Sequence, residues 1–217
     1  MLKADLHIHT EYSMDSSSSL ESIIRRCQEL GINCLAVADH GTTEGALEMQ
    51  KVAPFKVIVA EEILTPHGEI MGMFLKKTIP GGLSVPETIL AIREQGGLVN
   101  IPHPFDTVRP SALRRKIIEG IVTEIDAMEA FNSRNIMLRH SQEALAFAEK
   151  HGIAKSAGSD GHTITEIGNA FIEMPDFNGK EDFLSALRQG KISGKRTNPM
   201  IHFNSRWERI KSSFKRG

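Results

Sequence analysis

The 217-residue chain has little cysteine, no long apolar run and no leader-like start, and each absence excludes a class of protein. Its two cysteines, Cys27 and Cys34, form neither a Cys-x-x-Cys pair nor a disulfide framework, so we expect buried thiols in a reducing compartment. No stretch of about 18 apolar residues is long enough to cross a membrane. No charged, apolar leader precedes the first motif. These absences predict a cytoplasmic protein without a membrane partner.

Charge and aromatic content argue against a long nucleic acid as a partner. The 26 basic side chains nearly balance the 27 acidic ones, and aromatic residues make up 6% of the chain. The sequence therefore has neither the basic stripe nor the aromatic cluster that tracking and stacking a long strand would need. With 40% apolar and 24% charged residues, the composition is typical of a globular enzyme or binding domain. It leaves the oligomeric state unknown.

Alternating strand and helix patterns predict one α/β domain over residues 1–197 and a C-terminal tail over residues 198–217. Strands are predicted over residues 2–9, 33–41, 56–62, 98–104, 127–131, 154–158 and 169–174, with a hairpin extension over 69–75. Helices are predicted over residues 20–30, 43–52, 86–95, 112–119, 136–151 and 180–189, the first capped by Ser19. Strands that alternate with helices favour a parallel sheet, and polar residues at the strand ends favour a distorted seven-stranded β/α barrel of the TIM-like kind.

The first strand carries the motif Asp5-Leu6-His7-Ile8-His9-Thr10. The two-residue period of a strand would place Asp5, His7 and His9 on one face and the apolar residues on the other. Two imidazoles at this spacing can converge on one divalent cation, whereas the alternative is a chance pair of surface histidines near a terminus. We expect Asp5 to orient the histidines without binding metal, and Asp39 to make structural hydrogen bonds.

Other predicted strands also end in side chains that could hold a metal. These residues are His40, Glu62, His103, Asn132, Asp160 and His162. In β/α barrels the carboxyl ends of the strands meet at the active-site face, so we expect these side chains to converge. Nitrogen and carboxylate donors without thiolates favour borderline or hard divalent ions. The set exceeds the needs of one tetrahedral ion, and a carboxylate such as Glu62 can bridge two cations, which suits phosphate ester hydrolysis.

Together the motifs carry a resemblance to a known family. They are Asp5 to Thr10 with Tyr12, Ser13 and Asp15, then Asp39-His40-Gly41, Glu62-Ile63, Pro102-His103-Pro104 and Gly158-Ser159-Asp160-Gly161-His162. In this order they resemble the polymerase and histidinol phosphatase (PHP) superfamily of metal-dependent phosphoesterases, over about residues 3–174. The resemblance implies a distorted seven-stranded barrel that holds two or three divalent metal ions, namely Zn, Mn or Fe.

The resemblance also implies a set of metal ligands. Its members are His7, His9, Asp15, His40, Glu62, His103, Asp160 and His162, with Glu62 as the bridge. Ser16 stands where relatives often have glycine, and Asn132 stands where some have histidine, so the third metal has less support than the first two. Glu69 replaces a hairpin histidine of some relatives, and it is either a ligand or a solvated turn residue.

Arginines near the strand ends are candidates for binding phosphate. Arg134 follows a predicted strand end, where its guanidinium could grip a phosphate, or it could be a surface residue at a helix start. Arg109, in the loop after His103, is a weaker candidate for the same role. His103 and Asp160 could assist proton transfer besides binding metal. Excluded from the site, as exposed or tail residues, are His67, His140, His151 and His202.

These residues predict a hydrolase that cleaves a phosphate ester of a small metabolite, nucleotide or short oligonucleotide by attack of metal-bound hydroxide. Two alternatives stay open. An amidohydrolase-like enzyme would cleave C–N bonds in a similar metal barrel, although no lysine that could be carbamylated ends a strand. A non-catalytic module could hold metal and regulate a partner, although such a module would be expected to have lost several ligands.

Overall fold

The computed structural model describes residues 1–197 and places their strands in one mixed sheet of nine strands. The strands are β1 (Leu2–Ile8), β2 (Cys34–Val37), β3 (Lys56–Thr65), β4 (Gly68–Met73), β5 (Leu98–Ile101), β6 (Ala127–Asn132), β7 (Ala154–Gly158), β8 (Ala170–Met174) and β9 (Lys191–Gly194). Their order in the sheet is β7-β6-β5-β4-β3-β2-β1-β8-β9.

The sheet curls into a nearly closed barrel because β1 has two neighbours on one side. Its first residues pair with β8, whereas its carboxyl end bonds to the chain just after β7. There the His9 N–H donates to the Gly161 carbonyl at 3.0 Å, and the Asp160 N–H donates to the His7 carbonyl at 2.7 Å. The predicted α/β barrel class is therefore confirmed.

The sheet has two more strands than the predicted seven. The predicted hairpin extension is a full member, β4, which lies antiparallel between β3 and β5. The other addition is β9, an edge strand of four residues that pairs with β8. Its side chains are half-buried or exposed, so its sequence has no apolar alternation that would predict a strand. Of the remaining pairs, β1–β2–β3 and β5–β6–β7 are parallel as predicted. The pair β1–β8 is antiparallel, so the prediction of a parallel sheet is wrong for β8.

Within residues 1–197, six α-helices pack on the sheet: the first five cover its outer face, and the last places Phe183, Ala186 and Leu187 in the hydrophobic cluster inside the barrel. They are α1 (Leu20–Leu30), α2 (Glu44–Val52), α3 (Val85–Glu94), α4 (Arg115–Gly120), α5 (Leu138–His151) and α6 (Lys180–Gln189). The predicted cap of α1 is confirmed, because the Ser19 side chain accepts a hydrogen bond from the Ser22 N–H. Both α4 and α5 begin two or three residues later than predicted. None of the helices within residues 1–197 is long and apolar enough to span a bilayer.

A register shift in β1 decides which of its side chains face the barrel interior. The pairing of β1 with β2 slips between Asp5 and Ile8. Leu6 packs in the inner hydrophobic cluster, whereas Ile8 packs in the outer cluster against the helices. Since a bulge reverses the alternation of side chains, His7 and His9 point inward while Asp5 does not share their face. The prediction of one shared face for these three residues is wrong.

Two buried aspartates hold the backbone near the strand ends. The Asp5 carboxylate accepts hydrogen bonds from the backbone N–H groups of Ser159 at 2.8 Å and Gly168 at 2.9 Å, where β1 passes from β8 to β7. It thus fixes the backbone and does not orient the imidazoles as predicted. Asp39 accepts hydrogen bonds from the N–H and the hydroxyl of Thr10, both at 2.6 Å. The predicted structural role of Asp39 is confirmed.

The predicted tail over residues 198–217, which includes His202, lies outside the described residues.

Candidate metal centre

The carboxyl ends of the strands bring all eight predicted ligands into one buried cluster. The residues are His7, His9, Asp15, His40, Glu62, His103, Asp160 and His162. Most of them are buried; His40 is the most accessible, with 18% of its side chain exposed. Six of them, all but His103 and Asp160, form three overlapping groups together with Glu69, and within each group one donor atom per residue lies within 4.8 Å of the others. The convergence that the barrel rule predicts is therefore present.

The first group lies at the centre of the cluster. The Nε2 atoms of His7 and His9 are 3.2 Å apart, and they lie 3.3 and 3.4 Å from Glu62 Oε2. Asp160 Oδ1 adds a fourth donor, 3.4 Å from His9 Nε2 and 3.8 Å from His7 Nε2. Four ligands at normal zinc distances around one tetrahedral ion would have their donor atoms about 3.3–3.6 Å apart. The measured spacing fits a cation at this position.

A second group lies beside the first and shares His9 with it. Asp15 Oδ2 is 3.1 Å from His162 Nε2 and 3.4 Å from His40 Nε2. The ring of His9 lies 4.0 Å from that of His162, measured between centroids. One carboxylate and three imidazoles form a donor set typical of Zn, Mn or Fe.

The third group includes Glu69. Its Oε1 lies 3.5 Å from His40 Nδ1, and its Oε2 lies 3.4 Å from His103 Nε2. Because Glu69 is only 5% exposed, the solvated-turn alternative is wrong. His103 Nε2 also lies 3.0 Å from Glu62 Oε1. Glu62 therefore directs one oxygen to His7 and His9 and the other to His103.

Orphaned oxygen atoms show that the cluster fits a cation. Glu62 Oε2 and Asp160 Oδ1 are buried and have no hydrogen-bond partner among the described residues. Burial raises the pKa of each carboxyl group, but the neighbouring His7 and His40 hold that of Glu62 well below its usual range, and Arg109 and His7 do so for Asp160. An ionised, buried oxygen without a donor is costly unless a cation lies beside it.

The histidines differ in how readily they bind a proton. Burial and the nearby His162 lower the pKa of His9 to about 3, which keeps its imidazole neutral, the form that binds metal. For His40 burial acts in the same direction, but the carboxylates of Glu62 and Asp15 outweigh it and raise the pKa to about 9.

Glu129 belongs to the site although sequence reasoning did not assign it a role. Its Oε1 lies 3.1 Å from His7 Nδ1, and its Oε2 accepts hydrogen bonds from the His103 N–H at 2.6 Å and the Asn132 amide at 2.8 Å. A carboxylate on the second ring nitrogen fixes the orientation and tautomer of a ligating histidine. An acidic residue in the middle of β6, flanked by apolar residues on both sides, was the signal that could have revealed it.

The two candidate arginines occupy different positions. Arg134 is buried: its Nη1 lies 2.7 Å from His162 Nδ1, and its Nε lies 3.1 Å from Glu166 Oε1. It is therefore not the surface residue of the alternative interpretation. Arg109 reaches the centre from the loop after β5, with Nη2 2.7 Å from Asp160 Oδ2, and its side chain is 18% exposed. Of the two, Arg109 is the more accessible to a ligand.

Backbone strain is concentrated at the cluster. Two of the predicted ligands, His103 and Asp160, have φ angles of 31° and 53°, in the region that residues other than glycine rarely adopt. Strained residues of this kind cluster at functional sites, where the surrounding structure holds them.

One histidine excluded by sequence reasoning is not a surface residue. His140 is only 1% exposed and lies on α5 in line with the buried Ala144 and Ala148. The spacing of four residues between these positions was the signal that could have shown its burial. His67 and His151 are exposed, as predicted.

The chain is similar to known proteins in sequence and in fold. A family model described as PHP domain matches residues 5–147, and one described as PHP-associated matches residues 139–192. An uncharacterized protein of Methanocaldococcus jannaschii is 34% identical over 198 residues, which are 86% of this chain and 79% of the relative.

Two solved structures show the same fold. A two-domain protein of Bacteroides vulgatus, which contains a predicted PHP-like metal-dependent phosphoesterase, has a TM-score of 0.67 at 16% identity, over 89% of this chain and 65% of its own. An amidohydrolase of Chromobacterium violaceum, with bound sulfate and no metal, has a TM-score of 0.60 at 17% identity, over 73% of this chain and 87% of its own. At such identities the likeness concerns the fold alone.

Proposed function

Because the chain belongs to the PHP-domain family, we propose that it is a metal-dependent hydrolase of phosphate esters. The observation that supports this most is the placement of Glu62, whose two oxygens face different imidazoles of the cluster. A carboxylate in this position suits a centre with more than one metal ion. Such centres favour phosphate ester cleavage, because they stabilise both the attacking and the leaving oxygen.

The predicted ligands together with Glu69 would hold two or three divalent cations, namely Zn, Mn or Fe. Bound there, the cations would polarise the phosphoryl oxygens and lower the pKa of a coordinated water toward neutrality. Glu129 keeps the His7 ring in the orientation that points Nε2 at the centre.

We assign phosphate binding, positioning of a ligand and proton transfer to different residues of the site. We assign Arg109 to binding of the substrate phosphate, since its guanidinium contacts Asp160 of the cluster and its side chain is partly exposed. Arg134 instead holds His162 and Glu166, so its role is to position His162. We propose that His103 or Asp160 assists proton transfer, in addition to its role as a ligand.

A second candidate function is hydrolysis of C–N bonds, which the fold likeness to an amidohydrolase favours. The sequence argues for the phosphoesterase, because no lysine that could be carbamylated ends a predicted strand. We further propose a small phosphorylated metabolite, nucleotide or short oligonucleotide as the substrate, and a cytoplasmic location. We disfavour the regulatory, non-catalytic alternative, because such a module would be expected to have lost several ligand residues.

The test combines metal content with activity. Elemental analysis of the purified protein should find two or three divalent ions per chain, and a panel of phosphomonoesters, phosphodiesters, nucleotides and amides should reveal the preferred bond. His9→Ala and Asp160→Ala should each lose metal and abolish hydrolysis. His151→Ala, which removes an exposed histidine of α5, serves as the control and should change neither. A metal-free protein, or activity that survives both site substitutions, would refute the proposal, and preferential cleavage of amides would favour the second candidate.

A further inference from the structure

The loop between β5 and α4 carries Arg109 into the site along a strained backbone. His103 and Phe105 have φ angles of 31° and 61°. Conformations of this kind persist only when neighbouring groups hold them. The Phe105 ring is held by an edge contact with Phe147 of α5, at 5.3 Å between centroids. The polar residues between Phe105 and Arg109 need a separate anchor.

The buried His140 supplies that anchor. Its Nδ1 lies 3.4 Å from Asp106 Oδ1, and its Nε2 lies 3.3 Å from Thr107 Oγ1. Asp106, itself only 5% exposed, accepts a hydrogen bond from the Val108 N–H at 2.9 Å. The two ring nitrogens thus face Asp106 and Thr107, which are consecutive residues of the loop. Through its hydrogen bond with the Val108 N–H, Asp106 also holds the loop backbone at Val108.

The contacts continue from this anchor to the metal centre. Asp106 Oδ2 lies 3.9 Å from Arg109 Nε, and Arg109 Nη2 lies 2.7 Å from Asp160 Oδ2. The guanidinium is therefore placed between a carboxylate of its own loop and a carboxylate of the centre. A displacement of Asp106 would move one of the two groups that set its orientation.

The chemistry at this position calls for an imidazole. In its neutral form one ring nitrogen donates a hydrogen bond and the other accepts one. In the tautomer whose Nε2 accepts a hydrogen bond from the Thr107 hydroxyl, Nδ1 carries the proton and lies 3.4 Å from Asp106 Oδ1, an electrostatic contact without hydrogen-bond geometry. An apolar ring would fill the same space between α5 and the loop, but it would leave both loop side chains without this partner.

We propose that His140 is a positioning residue for substrate binding: through Asp106 and Thr107 it fixes the loop so that Arg109 presents its guanidinium to the substrate phosphate. The inference rests on the proposed function, since it assigns Arg109 to the phosphate. It differs from a packing role, in which His140 would contribute to stability alone.

A double-mutant cycle separates the two roles. The variants are His140→Phe, Arg109→Gln, the two combined, and His140→Asn, which keeps a donor toward Asp106. His151→Phe, at the exposed end of the same helix, is the matched control. Each protein is assayed for KM and kcat on the best ester of the panel, for inorganic phosphate binding by titration calorimetry, and for thermal stability.

The expected result is a rise of about tenfold in KM and in the Kd of inorganic phosphate for His140→Phe, with a smaller change in kcat. His140→Asn should recover most of the affinity. In the Arg109→Gln background, His140→Phe should add less than about a twofold change, because its effect passes through Arg109.

Other outcomes would overturn the positioning role of His140, the proposed function, or both. Additive effects, an unchanged KM and Kd, or equal losses in His151→Phe would overturn the positioning role and leave a structural one. If the wild type binds phosphate with the expected coupling but hydrolyses no ester, the positioning role stands and the proposed function fails. If it neither binds phosphate nor hydrolyses esters, both are overturned.

Discussion

Replacing Gly158 by alanine should force β7 away from β1 at the metal centre. A Cβ at this position would lie 2.2 Å from His7 Cβ and 2.7 Å from the His7 backbone nitrogen. Ordinary carbon contacts are about 3.5–4.0 Å, so the two segments would have to separate by roughly 1 Å or more. Neither neighbour is the end of a flexible side chain, so the strain cannot be relieved by a rotamer change.

Two losses follow from this displacement. Overpacking of a buried site costs about 1–3 kcal/mol, and the upper end is expected here because the backbone itself must move. The new methyl group would also lie 2.9 Å from Glu129 Oε1, the oxygen that orients His7. Disturbing such a partner typically lowers metal affinity about 10- to 100-fold.

Urea unfolding of the metal-free protein measures the loss of stability. Competition with a chelator for Zn²⁺ measures the loss of metal affinity. Gly120→Ala is the matched control, since a Cβ there would meet no atom within 4 Å. It should leave zinc affinity at the wild-type value and, as a glycine-to-alanine change in α4, should keep the unfolding free energy or raise it by up to about 1 kcal/mol. If Gly158→Ala keeps the wild-type unfolding free energy and zinc affinity, the close packing of β7 on His7 is refuted.

Two further predictions test the surroundings of the site. Glu129→Gln should lower zinc affinity about 10- to 100-fold in the same chelator competition, because the His7 ring loses its carboxylate partner. Glu149→Gln, which changes an exposed residue of α5, should leave zinc affinity unchanged. Equal losses of affinity in the two variants would contradict the role of Glu129 in orienting His7. Burial raises the pKa of Cys27 and of Cys34 to about 12, so a thiol reagent at pH 8 should label both far more slowly in the native protein than in denaturant; rapid native labelling would show that the thiols are accessible.

The convergence of the candidate ligands on parallel strands and the loops after them could be predicted from sequence because a general rule places them at one face. Apolar runs that end in His40, Glu62, His103 or Asp160 mark strands, and the carboxyl ends of parallel strands share one face. No knowledge of the exact register is needed for this step, since each ligand only has to follow its strand. The convergence of these residues therefore depends on topology, which the alternation of strands and helices reveals.

Predictions that depended on local geometry were less successful. Simple alternation assigned Asp5 to the face of His7 and His9, but a shift of register between β1 and β2 separates them. A bulge leaves no mark in a strand of mixed composition, because it is set by pairing with a neighbour and not by propensity. The anchoring role of His140 depends likewise on which loop packs against α5, and that is decided by tertiary contacts.

Glu69 shows where the topological rule itself stops. It comes from β4, which runs antiparallel to β3, and the register pairs Leu64 of β3 with Glu69. An antiparallel strand starts at the end of the barrel where its parallel neighbours finish, so its first residues, and not its last, line the site. The replacement of a helical crossover by the tight turn between β3 and β4 therefore adds a carboxylate beside His40 and His103. A search of strand carboxyl ends cannot find such a ligand, whereas a search of the first residues after a hairpin turn can.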